Sequence, residues 1–273
     1  MSSDIHYHCR KGNLDTVIIL INEGVDVNEF NHMVYTPLHI ACIYNRAPIV
    51  QLLLTAGADH NIVDKQGRTP LMNAIRCQST TILDNTTLFN QLSDSQLHID
   101  NHRNSELHYA ARFNSHIIQQ LCEHRKLRDY TNSQGLTPLH IAARHGSFTN
   151  FDSLAKIIPT NQWNPENGQP ILNVVVSSDD HIIARVQMIE LIYQELKGEV
   201  YSDDDGYNGL HVAIVNGLNG MCELLIDLYP GIVNSTIKNG DGPLDLAIIH
   251  NHSIISYLMD NGAQPQRLKD KRG

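Results

Sequence analysis

The chain contains 273 residues, of which 41% are hydrophobic and 18% are charged, a balance typical of a folded protein with a buried core. Its formal net charge of −9 disfavours binding to nucleic acid or to an acidic membrane through the bulk field, and leaves room only for a local basic stripe. No window approaches the roughly 18 uninterrupted apolar residues of a membrane-spanning helix. The N-terminus has no basic start followed by an apolar run, so we expect a cytoplasmic protein without membrane insertion.

The five cysteines stand at scattered positions and form no C-x-x-C pair. An odd number without paired spacing encodes neither a disulfide framework nor a zinc ribbon. This usage fits a reducing compartment.

A six-residue motif recurs along the chain. It is complete at residues 36–41 and 137–142 (TPLHIA in both), and nearly so at 69–74 (TPLMNA). Weaker copies lie at 105–110 (SELHYA), 208–213 (NGLHVA), 242–247 (GPLDLA) and 169–172 (QPIL), and a degenerate copy begins at residue 3. The motif therefore starts at residues 3, 36, 69, 105, 137, 169, 208 and 242, with spacings of 32 to 39 residues. A fixed period of this size indicates a repeat architecture.

Each part of the motif has a local physical reason. Thr36 can cap a helix whose first turn takes Pro37, where the missing N–H costs nothing. The small residues that follow Leu38 form one apolar stripe and allow close approach of the next repeat. A second helix should stop at Gly57, which can adopt the left-handed conformation past a helix end. The stretch 64–68 (DKQGR) has the Asp…Gly chemistry of a tight turn.

This pattern resembles the ankyrin-repeat family, whose period is about 33 residues with a T-P-L-H-x-A signature. The resemblance implies an all-α fold, a solenoid of about eight helix-pair units with protruding hairpin loops. We expect a single array over 1–265 with a basic tail at 266–273. The expected repeats are 1–30, 31–63, 64–99, 100–131, 132–163, 164–202, 203–236 and 237–265.

Two repeats depart from the pattern. Repeat 3 carries three extra residues within 79–90, and repeat 6 is overlong and has lost its signature. We expect both departures to lengthen the second helix or its exit loop. The stretch 181–197 is typical of a long amphipathic helix.

The histidines and acidic clusters invite a metal or catalytic interpretation. Most motif histidines are expected to tie one repeat to the next, as the resemblance implies: His39, His108, His140 and His211, and less surely His6. In 6–9 (HYHC) the cysteine falls on a core position and no third acidic ligand is near, so zinc is disfavoured. The run 203–206 (DDDG), with Asp179, Asp180 and His181 upstream, could hold a cation or be a solvated loop tip, which we favour. No catalytic motif is present, so we predict no enzyme activity, no catalytic residue, no cofactor and no metal.

The concave face of a solenoid is its usual binding surface. It is built from the residue before each motif start, the seventh and eighth residues after it, and the turn residues three and four before it. This surface is predicted basic and aromatic over repeats 1 to 5, and acidic over repeats 7 and 8 through Asp204, Asp205 and Asp241. The predicted partner-binding residues are Tyr35, Tyr44, Lys65, Arg68, Arg76, Arg112, Phe113, Arg144, His145 and Trp163. Two interpretations of Trp163 stay open, an exposed anchor and a plug at the irregular joint.

These patterns predict a non-enzymatic scaffold or adaptor, a monomer that grips an acidic or phosphorylated segment of a protein partner. The alternative is a host-directed enzyme or enzyme regulator with its active feature in the irregular region 151–207. The chain is also similar to ankyrin-repeat proteins of intracellular bacteria, some of which are delivered into host cells. That likeness makes the host cytosol an alternative location for an effector.

Overall fold

The computed structural model describes residues 4–93, 98–113, 116–124, 130–164, 168–178 and 182–266. The chain forms two compact units that divide between Pro138 and Leu139. Throughout the described ranges the regular structure is helical, without any strand. The predicted all-α repeat fold is therefore confirmed.

In the first unit the helices alternate between two layers. The first helices of successive repeats, α1, α3, α5 and α8, pack side by side, and the second helices α2, α4 and α7 pack behind them. The bounds are α1 Ile5–Lys11, α2 Leu14–Asn22, α3 Pro37–Ile43, α4 Ala47–Thr55, α5 Pro70–Arg76, α6 Thr80–Leu83, α7 Thr86–Leu92, α8 Glu106–Phe113 and α9 Ile118–His124.

The second unit repeats this arrangement. Helices α12, α14 and α16 pack in one row, and α11 packs against α13. The bounds are α10 Pro138–Arg144, α11 Phe148–Ala155, α12 Ile171–Ser177, α13 Ile182–Glu195, α14 Gly209–Val215, α15 Asn219–Leu228, α16 Pro243–His250 and α17 Ile255–Asp260. Short 3₁₀ helices lie at Thr160–Gln162, Pro230–Asn234 and His252–Ile254.

The helix starts and the core follow the motif. The Thr36 side chain accepts a hydrogen bond from the His39 amide, Pro37 occupies the first turn, and Thr69 caps α5 in the same way. Leu38, Ala41 and Cys42 are completely buried between neighbouring first helices. The stripe predicted from the sequence is thus the surface on which one repeat stacks on the next.

Finger loops precede the first helices. In five of them an Asp or Asn at the first position accepts the backbone N–H groups two and four residues later; these loops are 31–35, 64–68, 100–104, 132–136 and 203–207. The fourth position has a positive φ in every one of these loops. Glycine fills it at Gly67, Gly135 and Gly206, whereas Val34 and Arg103 adopt the same conformation at φ 63° and 62°. Neighbouring loops are joined by backbone hydrogen bonds, such as Asn101 N–H to Gln66 O at 2.9 Å.

The motif histidines link the repeats as predicted. Nε2 of His39 donates to the carbonyl of Arg68 at 3.1 Å, and Nε2 of His108 to that of Leu136 at 3.0 Å. His140 bonds to the carbonyl of Gln169 in the same way, whereas His6 and His211 bond to those of Glu29 and Ser235, at the end of their own repeats just before the next finger loop. In His108, Nδ1 accepts the backbone N–H of Ser105, so the proton lies on Nε2 and the ring is neutral. Burial lowers the pKa of His108 to about 4, against hydrogen bonding to Leu136 and the charge of Asp100.

The two irregular repeats differ from expectation in one respect. In repeat 3 the insertion does not lengthen the second helix but divides it into α6 and α7, because Asn85 caps the new helix through the amides of Thr87 and Leu88. Repeat 6 still forms a first helix, α12, although Pro170 at its N-cap offers no side-chain cap. Its second helix, α13, is 14 residues long, as predicted.

The buried histidines should make stability fall with acidification. An unfolded histidine has a pKa near 6.5 and gains a proton first as pH falls, whereas folded His108 stays neutral to about pH 4. The contribution of His108 is therefore complete above about pH 7 and is lost between 6.5 and 4. Between pH 7.5 and 5, His108 alone should account for about 2 kcal/mol of lost unfolding free energy. Urea unfolding at the two pH values measures this loss.

The variant His108→Gln removes the titrating group and should be less stable at pH 7.5 but less sensitive to pH. His102→Gln is the matched control, since His102 lies in the same unit with an exposed side chain. An equal pH dependence in wild type and His108→Gln would show that this buried ring does not govern the acid response.

Candidate functional site

A groove of about 340 Å³ lies on the first-helix side of the first unit. It is bounded by α1, α3, the finger loop 31–35 and the last turn of α5. The residues that define the groove here are Tyr7, Arg10, Met33, Tyr35, Tyr44 and Arg76. The structure thus brings together three of the predicted binding residues, Tyr35, Tyr44 and Arg76.

Cations in and beside the groove lie against aromatic rings. The Arg10 guanidinium carbon is 5.2 Å from the centroid of the Tyr44 ring, and Lys11 Nζ is 5.9 Å from that of Tyr7. Such contacts restrain a long side chain while its charged head stays in water. The groove therefore combines an aromatic wall with positive charge, a composition that is common among interface anchors.

Arg68 does not belong to an exposed stripe, and that part of the expectation is corrected. Its Nε donates to the buried Asp64 carboxylate at 2.8 Å, and its Nη2 donates to Gln66 Oε1 at 2.8 Å and to Tyr35 OH at 3.3 Å. Burial raises the pKa of Asp64, but hydrogen bonds from Asn73 and Arg68 and the guanidinium charge hold it below its usual value. Arg68 therefore closes its loop and positions Tyr35 at the groove.

Arg76 is attached to the same network at its other end. Asn73 donates to Asp64 Oδ2 at 2.9 Å, and its Oδ1 accepts Nε and Nη2 of Arg76, each at 3.4 Å. Asn73 is fully buried and holds the Nε–Nη2 edge of the guanidinium, so a ligand from solvent would approach its Nη1–Nη2 edge. A chain of hydrogen bonds thus runs from Tyr35 to Arg76 through buried side chains.

The remaining predicted residues of the first unit do not line the groove. Arg112 is exposed on the last turn of α8, with its guanidinium carbon 5.1 Å from the centroid of the Phe113 ring. Phe113 stacks on Tyr109, whose hydroxyl donates to Asp100 at 2.7 Å. Lys65 is exposed on the tip of its finger loop. The partner-binding role of all these residues stays a prediction.

In the second unit Arg144 ends α10 and His145 follows it, both half-buried. Trp163 is fully buried, donates from its indole N–H to the carbonyl of Ile158 at 3.0 Å, and packs edge-on against Phe151. Trp163 therefore plugs the joint before α12, and its interpretation as an exposed anchor was wrong.

The predicted acidic surface is only partly present. Asp204 and Asp205 are exposed, whereas Asp203 closes its loop by accepting the amides of Asp205 and Tyr207. Asp241 is buried, so its expected surface position was wrong; it accepts a hydrogen bond from Asn239. Asp179, Asp180 and His181 lie outside the described residues.

The described residues hold no group of three or more His, Cys, Asp or Glu side chains that could bind a metal ion. Burial raises the pKa of the Cys9 and Cys222 thiols to about 12, so neither is a thiolate nucleophile. Nε2 of His6 is hydrogen-bonded to the backbone carbonyl of Glu29, so His6 has a structural role in the fold. Among the described helices none has the length and apolarity to cross a bilayer.

Of the six residues that define the groove, three belong to the predicted partner-binding set, and Arg10 is the seventh residue after the motif start at residue 3, a concave-face position. The other two, Met33 and Tyr7, are outside the predicted set. Met33 stands three residues before Thr36, one of the turn positions from which the concave face is built, but it is not among the predicted partner-binding residues. Tyr7 stands at the variable position between the histidine and the core residue of the degenerate first motif. Because this motif position varies from repeat to repeat, the sequence alone does not show that Tyr7 lines a groove.

Comparison with known proteins agrees with the fold. The family model for ankyrin repeats matches in three copies, over residues 5–85, 82–167 and 181–269. The chain is 25% identical over 232 residues to the nuclear factor NF-kappa-B p105 subunit of Gallus gallus, covering 82% of this chain and 19% of that protein. It is 32% identical over 143 residues to the palmitoyltransferase AKR1 of Lachancea kluyveri, covering 50% and 19%.

A putative ankyrin repeat protein of Acanthamoeba polyphaga mimivirus is 23% identical over 257 residues, covering 91% of this chain and 32% of that protein. The chain thus spans between about a fifth and a third of the length of these three relatives.

The network behind the groove predicts that Arg68 contributes to stability. Arg68→Ala leaves the buried Asp64 carboxylate without its charged partner and should lower the unfolding free energy by about 2 kcal/mol. Chemical denaturation at neutral pH measures the change. Lys65→Ala is the matched control, because Lys65 lies on the same loop with an exposed side chain and should change stability by less than about 0.5 kcal/mol. Equal effects of the two variants would contradict the structural role of Arg68.

Proposed function

The chain belongs to the ankyrin-repeat family, whose repeats mediate protein–protein interaction, and on that premise we propose that it grips an acidic or phosphorylated segment of a protein partner. The observation that carries this proposal is the groove, where Arg10 and Arg76 stand beside Tyr35 and Tyr44. Guanidinium groups bind carboxylates and phosphates through paired hydrogen bonds. Aromatic neighbours add apolar contact area without much loss of conformational entropy.

Local charge, rather than the net charge of −9, should decide where an anionic partner binds. Arg76 ends α5 and Arg112 lies in the last turn of α8, two helices that pack against each other. Arg10 lies in the last turn of α1. These cations belong to the first unit, whereas the exposed Asp204 and Asp205 belong to the second. The proposed binding surface is therefore the first-helix side of the first unit.

The family is generally non-enzymatic, and we propose the same of this chain. The match to a palmitoyltransferase covers half of this chain and 19% of that protein, so the named activity is not carried over. In the region 151–207, Trp163 is buried and Asp203 closes a loop, which leaves the enzyme alternative without a supporting observation among the described residues. The proposal includes a monomeric state and a cytoplasmic location. The five free cysteines fit a reducing compartment.

Charge reversal tests the proposal. The triple variant Arg10→Glu, Arg76→Glu, Arg112→Glu should stay folded and lose at least about tenfold in partner affinity, with the largest loss at low salt. Arg68 is left unchanged because its loss would damage the fold. Quantitative mass spectrometry of proteins captured from a eukaryotic lysate identifies partners retained by wild type and lost by the variant. Phosphatase treatment of the lysate separates phosphorylated from acidic partners.

The matched control is Lys156→Glu, Lys197→Glu, Lys238→Glu, which changes the net charge equally but alters exposed residues of the second unit. This control should capture the same partners as wild type. If both triple variants lose the partner alike, bulk charge rather than the groove governs binding. If neither loses it, the groove is not the binding surface.

A further inference from the structure

The finger loop beside the groove contains a strained residue. Val34 has a φ of 63°, the left-handed conformation that β-branched residues strongly disfavour. Glycine occupies the same loop position at Gly67, Gly135 and Gly206. The loop therefore retains a costly residue at a position where glycine would be less strained.

The side chains at this tip are also exposed and apolar. The exposed fractions are 49% for Phe30, 57% for Met33 and 37% for Val34. We name these three residues the apolar tip. Large exposed apolar residues next to one another mark interaction surfaces more often than isolated ones do.

Loop closure does not require the apolar side chains. The backbone of Asn31 bonds to Tyr35 at 3.0 Å, and Asn31 Oδ1 accepts the amides of Met33 and Tyr35 at 2.9 and 3.0 Å. The main chain and one asparagine therefore set the conformation. Strain at Val34 and exposure of the apolar tip have no explanation in the folding of the loop.

We infer that the apolar tip and the groove form one docking surface for a segment with a large apolar side chain next to an aspartate or glutamate. The apolar residue packs on Met33 and Val34, and the carboxylate pairs with Arg10 and Arg76. Met33 lines the groove itself, so the two parts are continuous. This inference rests on the proposed function and adds an apolar side chain to the acidic group as the second feature by which the partner is recognised.

A carboxylate fits the groove better than a phosphate group. Asp4 also lines the groove, and its negative charge opposes a dianion more than a single carboxylate. The preferred anion is therefore Asp or Glu.

The probe is a displayed library of short random peptides, selected against the full chain. Enriched peptides should carry Leu, Phe, Ile or Met next to Asp or Glu. Their synthetic versions, measured by fluorescence polarisation, should bind the Val34→Gly variant about tenfold more weakly, the effect of losing a valine-sized contact. The melting temperature of this variant should equal or exceed that of wild type, since strain is relieved, so misfolding cannot explain the loss.

Arg103→Gly is the matched control, because Arg103 has the same loop position and backbone conformation in another finger. It should weaken the peptides less than Val34→Gly does, because it removes one charge outside the groove and no apolar contact. Unchanged affinity in Val34→Gly, or a melting temperature below that of wild type, overturns the inference. Tighter binding after phosphoserine replaces the acidic residue overturns the assignment of a carboxylate.

The variants also separate the two proposals. If Arg10→Glu, Arg76→Glu weakens the peptides and Val34→Gly does not, the proposed function stands and the apolar tip is not part of the site. If no charge preference emerges from selection and the arginine variants bind as wild type, the proposed function fails.

Discussion

The hydrogen bond from a buried histidine Nε2 to a backbone carbonyl leading into the next repeat is the constraint on which this architecture depends. This bond satisfies a backbone carbonyl in the interior. The Nδ1 atom of the same histidine accepts a backbone N–H and so fixes the start of the helix that carries the histidine. Both functions need a neutral ring, which burial enforces at His108 by lowering the pKa. One residue thus sets the geometry within a repeat and the spacing between repeats.

The stacking of repeats through a few fixed positions also explains why the groove exists. Since stacking uses Leu38, Ala41 and Cys42, the variable residues that follow them at the end of the first helix can face away from the core. Tyr44 and Arg76 occupy such positions, and the finger loop adds Tyr35. The buried pair of Asp64 and Arg68 holds these side chains in place, so residues that stabilise the fold position the groove without lining it.

Charges that look alike in the sequence therefore differ in the structure. Arg68 and Arg76 both belong to the predicted basic stripe, but Arg68 pairs with a fully buried carboxylate, whereas one edge of the Arg76 guanidinium donates to the neutral amide oxygen of Asn73. Asp241 and Asp204 both belong to the predicted acidic region, but only Asp204 is exposed. A paired charge stabilises its loop, and only a solvated one can attract a partner.

The sequence by itself determined the repeat period, the helix pairs, the threonine caps and the core position of Cys9, because these depend on contacts repeated at fixed spacing. The histidine links were implied by the resemblance to ankyrin repeats. The sequence also placed Tyr35, Tyr44 and Arg76 correctly on one surface. Only the tertiary structure decided that Arg68 is paired with Asp64 and that Trp163 is buried at the joint before α12. It also decided that the second helix of repeat 3 is divided and that Met33 and Tyr7 line the groove. Each of these depends on which neighbour a side chain meets, and a repeat pattern specifies positions but not partners.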